Sequence, residues 1–344
     1  MKLCLITDTH FGVRGDSPIF LEYFTRFYRE HFFPYLKENK IDTVVHLGDL
    51  VDRRKYLTYT TANVMRKEYI EPSQQMGLKT SIIIGNHDTF YKDTNEVNAL
   101  REVVMGREGF TIYSNPEYVE FDGLKALMLP WICEANQERS LKMISSGSAP
   151  IIFSHLELAG FEMSKGQLME HGMDASMFKK YKAVYSGHYH HKSSKGNIHY
   201  LGAPYEMTWV DYQDQKGFHI LDTDTLHLDF IPNPLIMHEK IHYNGEKVNK
   251  VEGKIVKVIV HDRADTKKFD AFVKSIGDAE VKVIDEHLNF DPIDIKEQLI
   301  KQTTEVGDTM NILSDYVGKL DLNVDKKRLN NLLKELYAEA QLET

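Results

Sequence analysis

Two textures of apolar residues alternate over the first ninety positions. Short, nearly continuous apolar runs at Lys2–Thr7, Thr43–Leu47 and Thr80–Ile84 predict buried strands. Between them, Leu21–Lys37 and Thr60–Met76 repeat their apolar residues at helical spacing. This alternation is the pattern of βαβ units around a mainly parallel sheet, which makes the chain α/β. From about Thr111 the texture changes to short strands separated by turns: Val119–Phe121, Ala126–Leu129, Ile151–Ser154, Ala183–Ser186, Ile198–Leu201, Phe218–Asp222 and Leu226–Ile231. These predict a second, mostly antiparallel sheet packed on the first. Pro232-Asn233-Pro234 is the strongest boundary signal, since neither proline fits a central strand. Beyond it, a strand at Ile255–His261, a helix at Thr266–Ser275 and a strand at Val281–Ile284 predict a small α/β domain. The tail from about Pro292 reads as helical, with Leu329, Leu332, Leu333, Leu336 and Tyr337 on one face. Periodicity alone favours packing of that face on its own domain.

Composition narrows the class. The 344 residues suit one large domain plus a smaller one. Two cysteines, Cys4 and Cys133, build neither a disulfide framework nor a thiolate zinc site and point to a reducing compartment. The opening Lys2 and a short apolar run stopping at Asp8 do not read as a signal peptide. No run reaches the ~18 apolar residues of a membrane span. With 42 Lys+Arg against 51 Asp+Glu, the net charge of −9 argues against holding nucleic acid by bulk charge alone.

Each of the first three strands ends in a polar cluster: Asp8-Thr9-His10, Gly48-Asp49 and Gly85-Asn86-His87-Asp88. In open α/β sheets ligands bind beyond the carboxyl ends of strands. Asp8 and His10, at i and i+2, are expected to project to one side of an extended strand end. Later come His155, closing the Ile151–Ser154 strand, and Gly187-His188-Tyr189-His190. Oxygen and imidazole donors without thiolate suit Mn²⁺, Fe or Zn²⁺. Taken singly, each cluster is ordinary turn or cap chemistry. Five of them at strand ends, with these donor types, point to a metal site.

The series Asp8-x-His10, Gly48-Asp49-x-x-Asp52-Arg53, Gly85-Asn86-His87-Asp88, His155 and Gly187-His188-x-His190 resembles the signature of calcineurin-like metallophosphoesterases. Within them the chain resembles the SbcD-type DNA repair nucleases, and more closely the recombination endonuclease subunits of T-even-like phages. Leu129-Pro130-Trp131-Ile132-Cys133-Glu134, His155–Phe161 and Tyr200–Tyr205 support the likeness, which is firm over 1–232 and general beyond. It implies a four-layer α/β/β/α sandwich over 1–232, a small α/β capping domain over 233–290 and a helical tail over 291–344 that grips an SbcC-type ATPase. It implies two Mn²⁺ (Mg²⁺ possible): Asp8, His10 and His190 hold one, Asn86, His155 and His188 the other, and Asp49 bridges both. His87 is then the general acid, with the Asp52 carboxylate fixing its tautomer. From the residues alone, a cap or turn role is the lesser alternative for Asp52, while Asp88 is open to local turn bonding or catalysis. Arg53-Arg54-Lys55-Tyr56 reads as a DNA contact or as a solvated loop, with Arg14 and Lys92 as lesser candidates. His191 is outside the ligand pattern, and His46 reads as a core histidine. The resemblance further implies exonuclease action on duplex ends, endonuclease action on single strands, a homodimer, no membrane, and a cytoplasmic location in the host of a phage. The rival readings are a phosphodiesterase or phosphoprotein phosphatase of the same fold, and a metal-degenerate scaffold.

Overall fold

The computed structural model describes residues 1–243, 251, 253–260, 266–276 and 280–285. The strands are β1 Lys2–Ile6, β2 Thr43–His46, β3 Lys79–Ile83, β4 Phe110–Tyr113, β5 Glu117–Phe121, β6 Leu124–Leu129, β7 Ile151–His155, β8 Glu162–Ser164 and β9 Gln167–Leu168. They continue with β10 Ala183–Gly187, β11 Ser193–Lys195, β12 Ile198–Tyr200, β13 Gly217–Asp222, β14 Leu228–Pro232, β15 His238–Tyr243, β16 Ile255–Val260 and β17 Glu280–Asp285. The first sheet runs β14-β13-β1-β2-β3-β4 and the second β11-β12-β10-β7-β6-β5.

Side-chain alternation along the strands sorts residues into layers. Leu3 and Leu5 of β1, with Val45 of β2, pack against Met128, Phe153 and Tyr185 of the second sheet. Their neighbours Cys4, Ile6 and Val44 face the other way, into an aromatic-rich core with Phe24, Phe27, Tyr28 and Tyr69 of the covering helices. The far side of the second sheet buries Leu127, Ile152 and Val184 against Ile144 and Phe178. Helix, sheet, sheet and helix make the expected four layers.

Both long helices of the first half carry a wide π-type turn, Phe27–Phe32 within Pro18–Glu38 and Arg66–Ile70 within Tyr59–Gln75. Each wide turn ends just before a proline, Pro34 or Pro72. A proline cannot donate to the preceding turn, and the widened backbone accommodates the loss without breaking the helix.

The second sheet departs from expectation. β6, β7, β10 and β12 are mutually parallel, and only the edge strands β5 and β11 run antiparallel. The stretches that read as turns are crossovers: the helix Gln137–Ser146 joins β6 to β7, and residues 156–182 join β7 to β10. β13 and β14 belong to the first sheet, where β13 pairs antiparallel with β1. Pro232 closes β14 at the sheet edge, where a missing N–H is tolerated. The predicted strand, helix and strand after residue 254 are present, as β16, Thr266–Ile276 and β17, with β15, β16 and β17 in one small sheet. The expected tail over 291–344, with its leucine face, lies outside the described residues.

Candidate metal centre

Because the parallel strands of both sheets point the same way, the loops after β1, β2, β3, β7 and β10 meet at one edge. Loops one and two extend the β1–β2 pairing, with Asp8, His10 and Phe11 N–H groups donating to the carbonyls of Gly48, Asp49 and Leu50. Asp8, His10, Asp49 and His188 all have positive φ, between 41° and 86°. Such backbone strain in non-glycine residues concentrates at functional sites. It also corrects the expectation of an extended strand end. Asp8 and His10 face one side because left-handed turns, not strand alternation, aim them. Close packing of the loops needs glycine: a Cβ on Gly48 would lie 2.7 Å from His155 Nδ1, and one on Gly85 would collide with the Asp49 carboxylate.

The predicted ligands gather into two clusters. In the first, His10 Nε2 lies 3.1 Å from His190 Nε2, and both are 3.9 Å from Asp8 Oδ1. In the second, Asn86 Oδ1 lies 2.9 Å from His155 Nε2 and 2.8 Å from His188 Nδ1. Asp49 Oδ2 stands between them, 3.7 Å from His10 Nε2 and 3.2 Å from His155 Nε2. Carboxylate and amide oxygens converge here with imidazole nitrogens, a donor set that suits a cation. Asp8-His10-His190 and Asp49-His155-His188 each bring their donor atoms within 4.8 Å of one another.

Electrostatics favours the same reading. Asp8 and Asp49 are fully buried carboxylates, which need compensating charge. Burial pushes His155 down, but the Asp49 and Asp8 charges outweigh it and hold the imidazole at about 9. His10 behaves alike: burial opposes its charge, while Asp52, Asp49 and Asp8 hold it at about 9. His188 is pushed down to about 3, by burial first and by His155 second. The pocket therefore demands positive charge, which divalent ions would supply in place of the two imidazolium protons. Oxygen and imidazole donors without thiolate fit Mn²⁺, Fe or Zn²⁺.

Surrounding groups aim these ligands. His155 Nδ1–H donates to the Leu47 carbonyl at 2.7 Å, leaving Nε2 to face the cluster. The backbone N–H of His188 donates to both Asp8 oxygens at 3.1 Å, tying the second sheet to the first. Lys216, buried between Asp211 and Asp214, donates to the His190 carbonyl at 2.6 Å. Asp88 is a loop organiser: its carboxylate accepts from the N–H groups of Gly85, Asp49, Leu50 and Val51. That role is wider than local turn bonding and involves no ligand atom. Glu157, 3.5 Å from His188 Nε2, also borders the cluster. The roles of Lys216 and Glu157 had no signal in local sequence.

His87 belongs to neither of these two clusters but forms a third group with His10 and Asp52, its backbone N–H donating to Asp49 Oδ1 at 2.7 Å and its ring 4.8 Å from that of His10. The expected partner is present in altered form. His87 Nδ1 bonds the backbone carbonyl of Asp52 at 2.5 Å, while the Asp52 carboxylate sits 3.3 Å from His10 Nδ1. The carboxylate thus serves His10, because the β2 loop turns the Asp52 carbonyl toward His87. Arg53 is ion-paired to Asp16 at 2.9 Å and lies over the Tyr56 ring; Arg54 is half-buried, and Lys55 is exposed. Arg14 donates to the Met207 carbonyl. His46 is a buried core residue whose Nε2 meets Thr9 Oγ1 at 3.0 Å, and His191 pairs with Asp214 at 2.9 Å. A cavity of about 510 Å³ opens beside His155, lined by Lys92, Trp131, Glu134, Gln137 and Glu157 among others.

A family model of calcineurin-like phosphoesterases matches residues 1–192, a span that holds every predicted ligand. The chain is 30% identical over 348 residues to exonuclease subunit 1 of Enterobacteria phage T4, covering 99% of both chains. Among solved structures, an archaeal phosphodiesterase matches 68% of this chain and 100% of its own at 15% identity and a TM-score of 0.34. Purple acid phosphatase PPD1 from yellow lupin seeds matches 67% of this chain and 52% of its own, at 12% identity and a TM-score of 0.36. No described helix is long and apolar enough to cross a membrane. With the matched span covering more than half its length, the chain belongs to the calcineurin-like phosphoesterase family.

Proposed function

We propose that this protein is a Mn²⁺-dependent DNA nuclease, hydrolysing phosphodiesters as an exonuclease on duplex ends and an endonuclease on single strands. The observation that carries the chemistry is the pair of ligand clusters sharing Asp49. Full-length similarity to a phage exonuclease subunit supports DNA as substrate. Asp8, His10 and His190 would hold one ion and Asn86, His155 and His188 the other, with Asp49 common to both. When bound, two divalent ions (Mn²⁺, or Mg²⁺ in its place) neutralise the phosphodiester and lower the pKa of the attacking water. The chain's own residues do the rest. His87 donates a proton to the leaving oxygen from Nε2, because its Nδ1–H is committed to the Asp52 carbonyl. The Asp52 carboxylate orients His10 from behind. Arg54 and Lys55 contact flanking phosphates, with Arg53 steadied by Asp16.

Residues 1–232 form the nuclease domain in this reading, 233–290 a cap over the substrate, and 291–344 a segment binding an SbcC-type ATPase. Two copies of the chain work together with that ATPase in processing double-strand breaks in the host cytoplasm. The test is an assay of the purified chain on linear duplex, single-stranded circles and a small model phosphodiester, each with Mn²⁺, Mg²⁺ or a chelator. Mn²⁺-dependent cleavage of both DNAs is expected. Turnover of the model diester with both DNAs left intact would overturn the DNA reading and favour another phosphodiester substrate.

A further inference from the structure

The cavity beside His155 borders the metal-ligand cluster through that residue. Its volume of about 510 Å³ is that of a small-molecule site. Of the lining side chains, Lys92 carries positive charge, whereas Glu134 and Glu157 carry negative charge. The carboxylates of Glu134 and Glu157 and the amide of Gln137 offer hydrogen-bond acceptors to a neutral group with amino donors at its edge. The flat element of the lining is the Trp131 indole, and its backbone is held firmly. Trp131 N–H donates to the Ile84 carbonyl at 2.8 Å, and its carbonyl accepts from the side-chain amides of Asn95 at 2.8 Å and Asn136 at 3.0 Å. The ring itself packs at 5.3 Å from His188 and 6.2 Å from His155. An aromatic face fixed next to the reacting centre, with carboxylate and amide groups around it, matches an extruded nucleobase.

We propose that this cavity holds the unpaired base of the nucleotide next to the scissile phosphate, stacked on Trp131. The proposal rests on the DNA nuclease reading and adds that the strand is engaged unpaired at the point of cleavage. Stacking tolerates any sequence, while Glu134 and Gln137 supply edge contacts to the base.

The test walks a single abasic nucleotide through a mapped cleavage site in single-stranded oligonucleotides, with Mn²⁺ and the full-length chain. For the wild type, kcat/KM falls roughly 10-fold when the abasic position abuts the cleaved bond on one side, and little elsewhere. Trp131→Ala lowers cleavage of the intact strand and abolishes the intact-to-abasic ratio, whereas Trp131→Phe keeps most of it. Fluorescence anisotropy with the same oligonucleotides in EDTA gives the same ratios without metal, so a disturbed metal site cannot mimic the result. A wild type indifferent to the abasic position, or Trp131→Ala retaining the ratio, overturns the assignment and leaves the nuclease reading standing. A wild type that cleaves none of these DNAs overturns the nuclease reading instead.

Discussion

The first sheet brings Asp8, His10, Asp49 and Asn86 to the common edge, whereas the second brings His155, His188 and His190. Oxygen donors thus come from one sheet, and all but one of the imidazoles from the other. The means of positioning differ as well. Loops of the first sheet are drawn together by a carboxylate, Asp88, accepting four backbone N–H groups. Those of the second are fixed by bonds that cross between sheets, from the His155 ring to the Leu47 carbonyl and from His188 N–H to Asp8. Neither sheet holds a complete cluster alone, so the packing of the sandwich is itself part of the site.

Removing the residue both clusters share should break this arrangement most severely. Asp49→Ala is expected to lower divalent-metal stoichiometry and to cut phosphodiester turnover by roughly 10⁴-fold or more, measured by elemental analysis and steady-state kinetics. His87→Asn separates proton transfer from metal binding. Turnover should fall by about 10²–10⁴-fold while metal content stays near wild type. Loss of metal in that variant would make His87 a ligand.

Asp52→Asn distinguishes the two contacts of one residue. The backbone carbonyl remains for His87, so the deficit should appear as metal affinity weakened by about 10–100-fold through His10, read by titration calorimetry.

The smallest effect concerns pH. His10 and His155 are held at about 9 in the metal-free protein, above the ~6.5 of a free imidazole. Their pairing therefore stabilises the metal-free fold fully below about pH 6.5, and that stability is lost as pH rises through about 9. Metal binding needs the neutral rings and should strengthen over the same interval. Thermal melts across this range in EDTA and in Mn²⁺ should diverge, the EDTA curve falling toward high pH.

The first sheet and its share of the candidate site were legible because Asp8, Asp49 and Asn86 come just after apolar runs separated by long helical repeats. The second sheet was legible in its strands but not in their direction. Residues 156–182 contain the short hairpin β8–β9 and a turn at Ala175–Phe178, so a crossover between parallel strands looks locally like antiparallel texture. Local sequence also could not say which end of Asp52 reaches His87, since backbone carbonyl and carboxylate lie on the same residue. Asp88 was visible as a polar position, but its four donors come from two loops about 35 residues apart and only folding unites them. Lys216 reaches the His190 carbonyl through tertiary packing that no local pattern encodes.

Anomalous diffraction from crystals of the full-length chain grown with Mn²⁺ tests the central claim most directly. The account predicts two peaks roughly 3.5–4 Å apart, with Asp49 bound to both. A single peak, or ions held away from Asp49, would contradict it.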